Sequence, residues 1–132
     1  MSEENVEIVR KLIETWKRGD FESALKFYDE SVVWENEPGM VPVGRYQGRA
    51  GVARMFDDFL GAFEGFWQET EAFLEAGDKV VHLDVIGGVG KTSGAPVARQ
   101  TATVYTLRGG KIIRARMFLD RAKALEAAGL SE

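Results

Sequence analysis

The sequence predicts an α+β fold, with its helices gathered on one face of a curved antiparallel sheet. Apolar residues in the first half recur at three- and four-residue intervals, and in the second half they alternate. No linker or shift in composition interrupts the 132 residues, so one domain over 1–132 with a single core is expected. Helices first and hairpin-connected strands afterwards pack in this arrangement.

The first helix is expected over 3–18, where Val6, Val9, Leu12, Ile13 and Trp16 form one stripe. Ser2 is placed to cap it, Glu3 and Glu4 suit its first turn, and Gly19 ends it. Asp20 then caps a short second helix with Ala24, Leu25 and Phe27 inward. "SVVWEN" reads as a strand, and "EPGMVPVGRYQG" as a loop broken by prolines and glycines. A third helix over 49–63 carries Val52, Met55, Phe56, Phe59 and Phe63 on one stripe. Strands follow at 66–76, 79–87, 96–108 and 111–119, joined by tight turns at "EAGDK" and "LRGGK" and a longer loop at "GGVGKTSGAP". Asp120 caps a short terminal helix.

Composition narrows the function. With no cysteine and one histidine, thiolate chemistry is excluded and a transition-metal site is not expected. Net charge is −4 and the basic residues are scattered, so no nucleic-acid partner is expected. No phosphate loop or dinucleotide fingerprint is present, and a cofactor-free protein is expected. Apolar runs are too short to span a bilayer and the acidic start is unlike a secretory signal, so a cytoplasmic location is expected.

Strand alternation orients the side chains. In the last strand Ile113, Ala115, Met117 and Leu119 alternate with Arg114 and Arg116, so the apolar set faces the interior. In "VVHLDVIGG" the only histidine, His82, shares a face with Asp84, with about 7 Å between backbones from the ~3.3 Å rise. Alternation alone would give the core to Val81, Leu83 and Val85 and leave His82 wet.

"WKRGDFESALKFYDESVVWENEP", "GRAGVARMF" and "TLRGGKIIRARMFLDRAKALEAAGL" resemble the SnoaL-like branch of the nuclear-transport-factor-2-like, cystatin-cone superfamily over nearly the whole chain. The resemblance implies a cone: three N-terminal helices closing a strongly bent antiparallel sheet around a deep pocket, with a short C-terminal helix. It also implies that His82, Asp84 and Ile86 point inward. Val81, Leu83 and Val85 would then form an apolar convex stripe of the kind a sheet-to-sheet homodimer buries.

Several catalytic patterns of that superfamily find partial matches. Glu37 before Pro38 resembles the base of ketosteroid isomerases, whose oxyanion positions fall on Leu12 and Thr103. Trp34-Glu35-Asn36 and His82-Leu83-Asp84 resemble pairs in limonene-type epoxide hydrolases, whose second aspartate falls on Met117. Asp120 resembles the acidic residue of polyketide cyclases in position. The same register puts Arg99, Thr101, Thr103 and Tyr105 in the pocket, above a floor of Trp16, Trp34, Phe59, Phe63, Met117 and Leu119.

This layout suits an apolar small molecule with a polar handle. His82 acts as a base oriented by Asp84, with Arg99 or Asn36 as the positioning group, or else His82 and Asp84 form a polar pair that orders the sheet. Arg99 anchors a ligand or pairs with Asp84, Glu37 is a base or a loop carboxylate, and Asp120 is catalytic or a helix cap. Proton-transfer chemistry of the isomerase, cyclase, dehydratase or hydrolase kind is one expectation, and a non-catalytic ligand-binding domain the other.

Overall fold

A computed structural model describes residues 2–38 and 44–130. Helix α1 (Ser2–Lys17) begins at Ser2, which is therefore its first residue rather than its cap. Gly19 stops the helix at φ 81°, a conformation open to glycine without strain. Asp20 starts α2 (Phe21–Leu25) by accepting the Ser23 amide. Strand β1 (Tyr28–Asn36) follows.

The segment expected to be a loop after β1 contains a short strand, β2 (Arg45–Gln47), paired antiparallel to β1. Three residues are too few to show an alternation, and the prolines before them read as loop. The middle of that segment, residues 39–43, lies outside the described residues. Helix α3 (Gly48–Ala62) turns directly into β3 (Phe63–Ala76). Then come β4 (Lys79–Gly90), β5 (Pro96–Arg108), β6 (Lys111–Phe118) and α4 (Arg121–Ala127). Strand β4 takes in the first glycines of the expected mobile connection, through Gly90.

The six strands form one sheet in the order β2-β1-β6-β5-β4-β3. Its pairs are antiparallel except that β1 runs parallel to β6, which corrects the purely antiparallel expectation. A parallel neighbour needs a long crossover, and the whole chain between β1 and β6 supplies one. Strand β3 carries two bulges, one at Glu64/Trp67 around Gly65 (φ 62°) and one at Thr70/Ala72. Each adds a residue, bends the strand and resets which side chains face inward.

Two apolar clusters lie on opposite faces of the sheet. The larger joins α1, α2 and α3 to the inner face through Leu12, Tyr28, Trp34, Phe56, Tyr105 and Met117, among others. The smaller sets Ala124 and Ala128 of the C-terminal segment on Val81, Ala102, Val104 and Phe118 of the outer face. Arg121 fastens that segment by donating to the Asp84 carbonyl at 2.8 Å and pairing with Glu71. The apolar stripe opposite His82 is thus covered in part by the chain's own last helix. His82 faces inward without any second subunit, so its orientation and dimerisation are independent matters.

Candidate functional site

Inside the bent sheet lies an aromatic cavity of about 50 Å³. Trp16 of α1, Phe59 of α3, Trp34 of β1 and Met117 of β6 line it, as does Thr103 of β5. All five were expected there. Tyr28, Phe56, Phe66, Gln68, Ile86 and Tyr105 complete much of the wall. Trp16 lies 4.5 Å from Phe56 between ring centroids, and Trp34 lies 6.1 Å edge-on to Tyr105. The protein's own aromatics therefore occupy most of the space within the sheet's curve. A dry cavity that takes up benzene measures roughly 150 Å³. A ring-sized guest must displace lining side chains here.

Behind one wall is a ladder of polar residues. The register sets His82 opposite Thr103 and Asp84 opposite Thr101, with Thr70 opposite Asp84 on the other side. Asp84 is 1 % exposed, and its two carboxylate oxygens take separate donors: the Thr101 hydroxyl at 2.5 Å and the Gln68 amide nitrogen at 2.6 Å. Burial pushes the Asp84 carboxyl up, against the pull of these two hydrogen bonds and of Arg121.

His82 is equally buried, with Nε2 2.8 Å from the Thr70 hydroxyl. Its ring stacks on Phe73 at 4.9 Å, and the Arg10 guanidinium also lies over the Phe73 ring. Its Nδ1 stands 4.0 Å from Asp84 Oδ2, too far for a hydrogen bond. Burial, with Lys17 and Arg121 nearby, lowers the His82 pKa to about 4. At neutral pH it is an uncharged imidazole and a weak base, screened from the cavity by its neighbours.

The remaining expected site residues fall elsewhere. Asn36 is buried below the cavity wall, where its Oδ1 accepts the Trp34 indole N–H at 2.8 Å. Thr101 is fully buried against Asp84 rather than in the cavity lining. Arg99 is exposed beyond the end of the ladder and makes no pair with Asp84, whose side chain is held by Thr101 and Gln68. With Phe63 and Leu119 it lines a separate surface groove of about 340 Å³, which meets the cavity wall at Ile86.

Glu37 points toward the junction of β6 and α4. There Oε1 accepts the Leu119 amide at 2.8 Å and the Asp120 amide at 3.3 Å, while Lys123 approaches Oε2 at 3.6 Å. Asp120 caps α4 by accepting the Ala122 and Lys123 amides, and it is exposed. Both carboxylates are engaged in ordering the end of the sheet. Among the described residues no group of three or more His, Asp or Glu is placed to hold a metal.

Three further polar residues belong to the wall; Tyr105 was expected in the pocket, whereas Tyr28 and Gln68 were not. Tyr28 and Tyr105 are 1 % and 3 % exposed, and neither hydroxyl has a hydrogen-bond partner among the described residues. Burial pushes both hydroxyls far above their ordinary range, so both stay protonated donors; the charge of Asp84 adds to the effect on Tyr105. Gln68 is the third. Its Oε1 is buried without a partner while its amide nitrogen is engaged by Asp84. Tyr28 precedes an irregularity in β1, and Gln68 lies between the two bulges of β3, so sequence alternation assigns neither a face.

A bent, mostly antiparallel sheet wrapped around helices, with an aromatic cavity between them, defines a class of α+β cone proteins. The chain belongs to the SnoaL-like domain family, whose model matches residues 9–115. Solved structures agree over nearly its full length. An NTF2-like protein of unknown function from Burkholderia pseudomallei superposes with a TM-score of 0.80 at 21 % identity, covering 96 % of this chain and 97 % of that one. TerC, co-crystallised with polyporic acid, gives 0.77 at 22 % identity over 96 % and 98 %. A protein of ketosteroid isomerase-like fold from Catenulispora acidiphila, in complex with trimethylamine, gives 0.74 at 20 % over 94 % and 93 %. At these identities the likeness is one of fold. No protein of curated function matches the chain in sequence.

Proposed function

We propose that this chain binds a small, mostly apolar molecule with a carbonyl or hydroxyl handle between its helices and sheet. The observation that carries the reading is the cavity's chemistry. Its wall is aromatic, yet it holds a buried glutamine oxygen with no partner among the described residues, together with two tyrosine hydroxyls. Unpaired buried polar groups cost stability, and a guest that bonds to them recovers that loss. Relatives in fold crystallised with polyporic acid and with trimethylamine support a small organic guest.

Titration with cyclohexanone and with phenol, followed by ¹H–¹⁵N NMR, tests it. The Trp16 and Trp34 indole signals should shift, and more than that of Trp67, which lines the groove beside Trp16 without reaching the cavity. Shifts confined to Trp67, or none with either probe, would refute the proposal.

A second reading, a proton-transfer enzyme, is favoured by Asp84. It is a buried carboxyl with a raised pKa, one hydrogen bond behind the cavity-lining Gln68. In that reading Gln68 must swing off Asp84 before the carboxylate can take the proton, the tyrosine hydroxyls stabilise the developing oxyanion, and His82 is a neutral neighbour. We further propose a homodimer through the part of the outer face that α4 leaves open, where Trp67 is 42 % and Val89 39 % exposed. Sedimentation showing only monomer at ~100 μM would reject it.

A further inference from the structure

We infer that the guest is a hydrogen-bond donor, an alcohol, phenol or enol, and that Gln68 Oε1 reads its O–H. The inference rests on the binding reading above and narrows its ligand class. Gln68 lies in β3, and its amide nitrogen donates to Asp84 Oδ2 at 2.6 Å. That bond fixes which way the amide points, because turning it over would bring its oxygen against the carboxylate. Oε1 therefore faces away from Asp84, buried and without a partner among the described residues. It has two lone pairs and no proton, so only a donor satisfies it.

Its position supports the same role. Gln68, Trp16 and Phe66 line both the aromatic cavity and a surface groove of about 280 Å³ alongside Lys17, Phe21 and Trp67. They form the partition between the two. A guest that displaces the half-buried rings of Trp16 or Phe66 on its way in passes the orphan oxygen. Tyr28 and Tyr105 line the same cavity and offer hydroxyl donors to a guest oxygen there. A neutral hydroxyl, which both donates and accepts, matches all three groups. A carbonyl or ether leaves Gln68 unsatisfied, and a carboxylate would meet it acceptor to acceptor.

Phenol and toluene have nearly the same shape, and a purely apolar cavity prefers toluene. Calorimetric titration of both into the wild-type protein should show phenol binding about tenfold more tightly, the scale of one buried hydrogen bond. In Gln68→Leu that preference should vanish while toluene still binds. Equal affinities, or toluene the tighter, would overturn the inference and leave the cavity reading intact. Binding of neither would refute the cavity reading itself. An unchanged preference in Gln68→Leu would also overturn the assignment to Gln68. Should that variant fail to fold, NMR of the wild type decides. Phenol must shift the Gln68 side-chain amide and toluene must not, and equal shifts from both would overturn the inference.

Discussion

Histidine 82 makes the stability of this protein fall on acidification, by an amount that follows from its burial. Its pKa is about 4 in the folded chain against an ordinary 6.5. As pH drops below 6.5 the unfolded chain takes up a proton that the folded chain refuses, so the unfolded state is favoured. The loss begins near pH 6.5 and is complete near pH 4. At about 1.4 kcal/mol per pH unit across that gap, the full effect is about 3 kcal/mol, of which about 2 falls between pH 7 and pH 5.

Asp84 acts in the opposite direction. Its carboxyl is raised, so the folded chain gains a proton before the unfolded one as pH falls. A variant is therefore needed to isolate the histidine. Urea unfolding of the wild type and of His82→Phe, which preserves the stack on Phe73, should be compared at pH 7 and pH 5. The wild type should lose about 2 kcal/mol more than the variant over that interval. Parallel losses in the two proteins would mean that water reaches His82, and the buried placement of the polar ladder would fail with it.

Two further substitutions probe the ends of the site. Glu37→Ala removes the acceptor shared by the Leu119 and Asp120 amides. It should cost about 2 kcal/mol in urea unfolding and raise hydrogen exchange in α4, with guest binding unchanged; lost binding with full stability would instead make Glu37 a site carboxylate. Gly87→Ala would set a Cβ against the Trp67 ring and 2.6 Å from the Val97 carbonyl oxygen. It should destabilise by about 1–3 kcal/mol and shift Trp67 fluorescence, and a stability equal to wild type would show that the ring does not lie over that backbone.

The sequence by itself determined the α+β class, nearly every helix and strand, and the two aspartate caps, because each is written in local periodicity and turn chemistry. It also determined the inward face of the second half of β6, where two arginines alternate with Ala115 and Met117; at the start of the strand an irregularity puts Ile112, not the expected Ile113, in the core. For β4 the local pattern pointed the other way. Val81, Leu83 and Val85 look like a core face, and Val81 and Leu83 do sit on an apolar cluster, but it is the one built by the chain's own C-terminal helix on the outer side.

A sheet covered on both faces has two cores, and alternation cannot say which is which. Only the tertiary structure decided that His82 and Asp84 are buried beside the cavity rather than open to it. It alone decided that Gln68 and Tyr28 complete the cavity's polar wall. The bulges of β3 and the irregularity in β1 are the physical reason. Each inserted residue inverts the facing of everything beyond it, and the pairing that reveals it lies on a strand distant in sequence. The parallel meeting of β1 and β6 was likewise beyond local reach, since it joins residues some 80 apart, as Trp34 with Ala115.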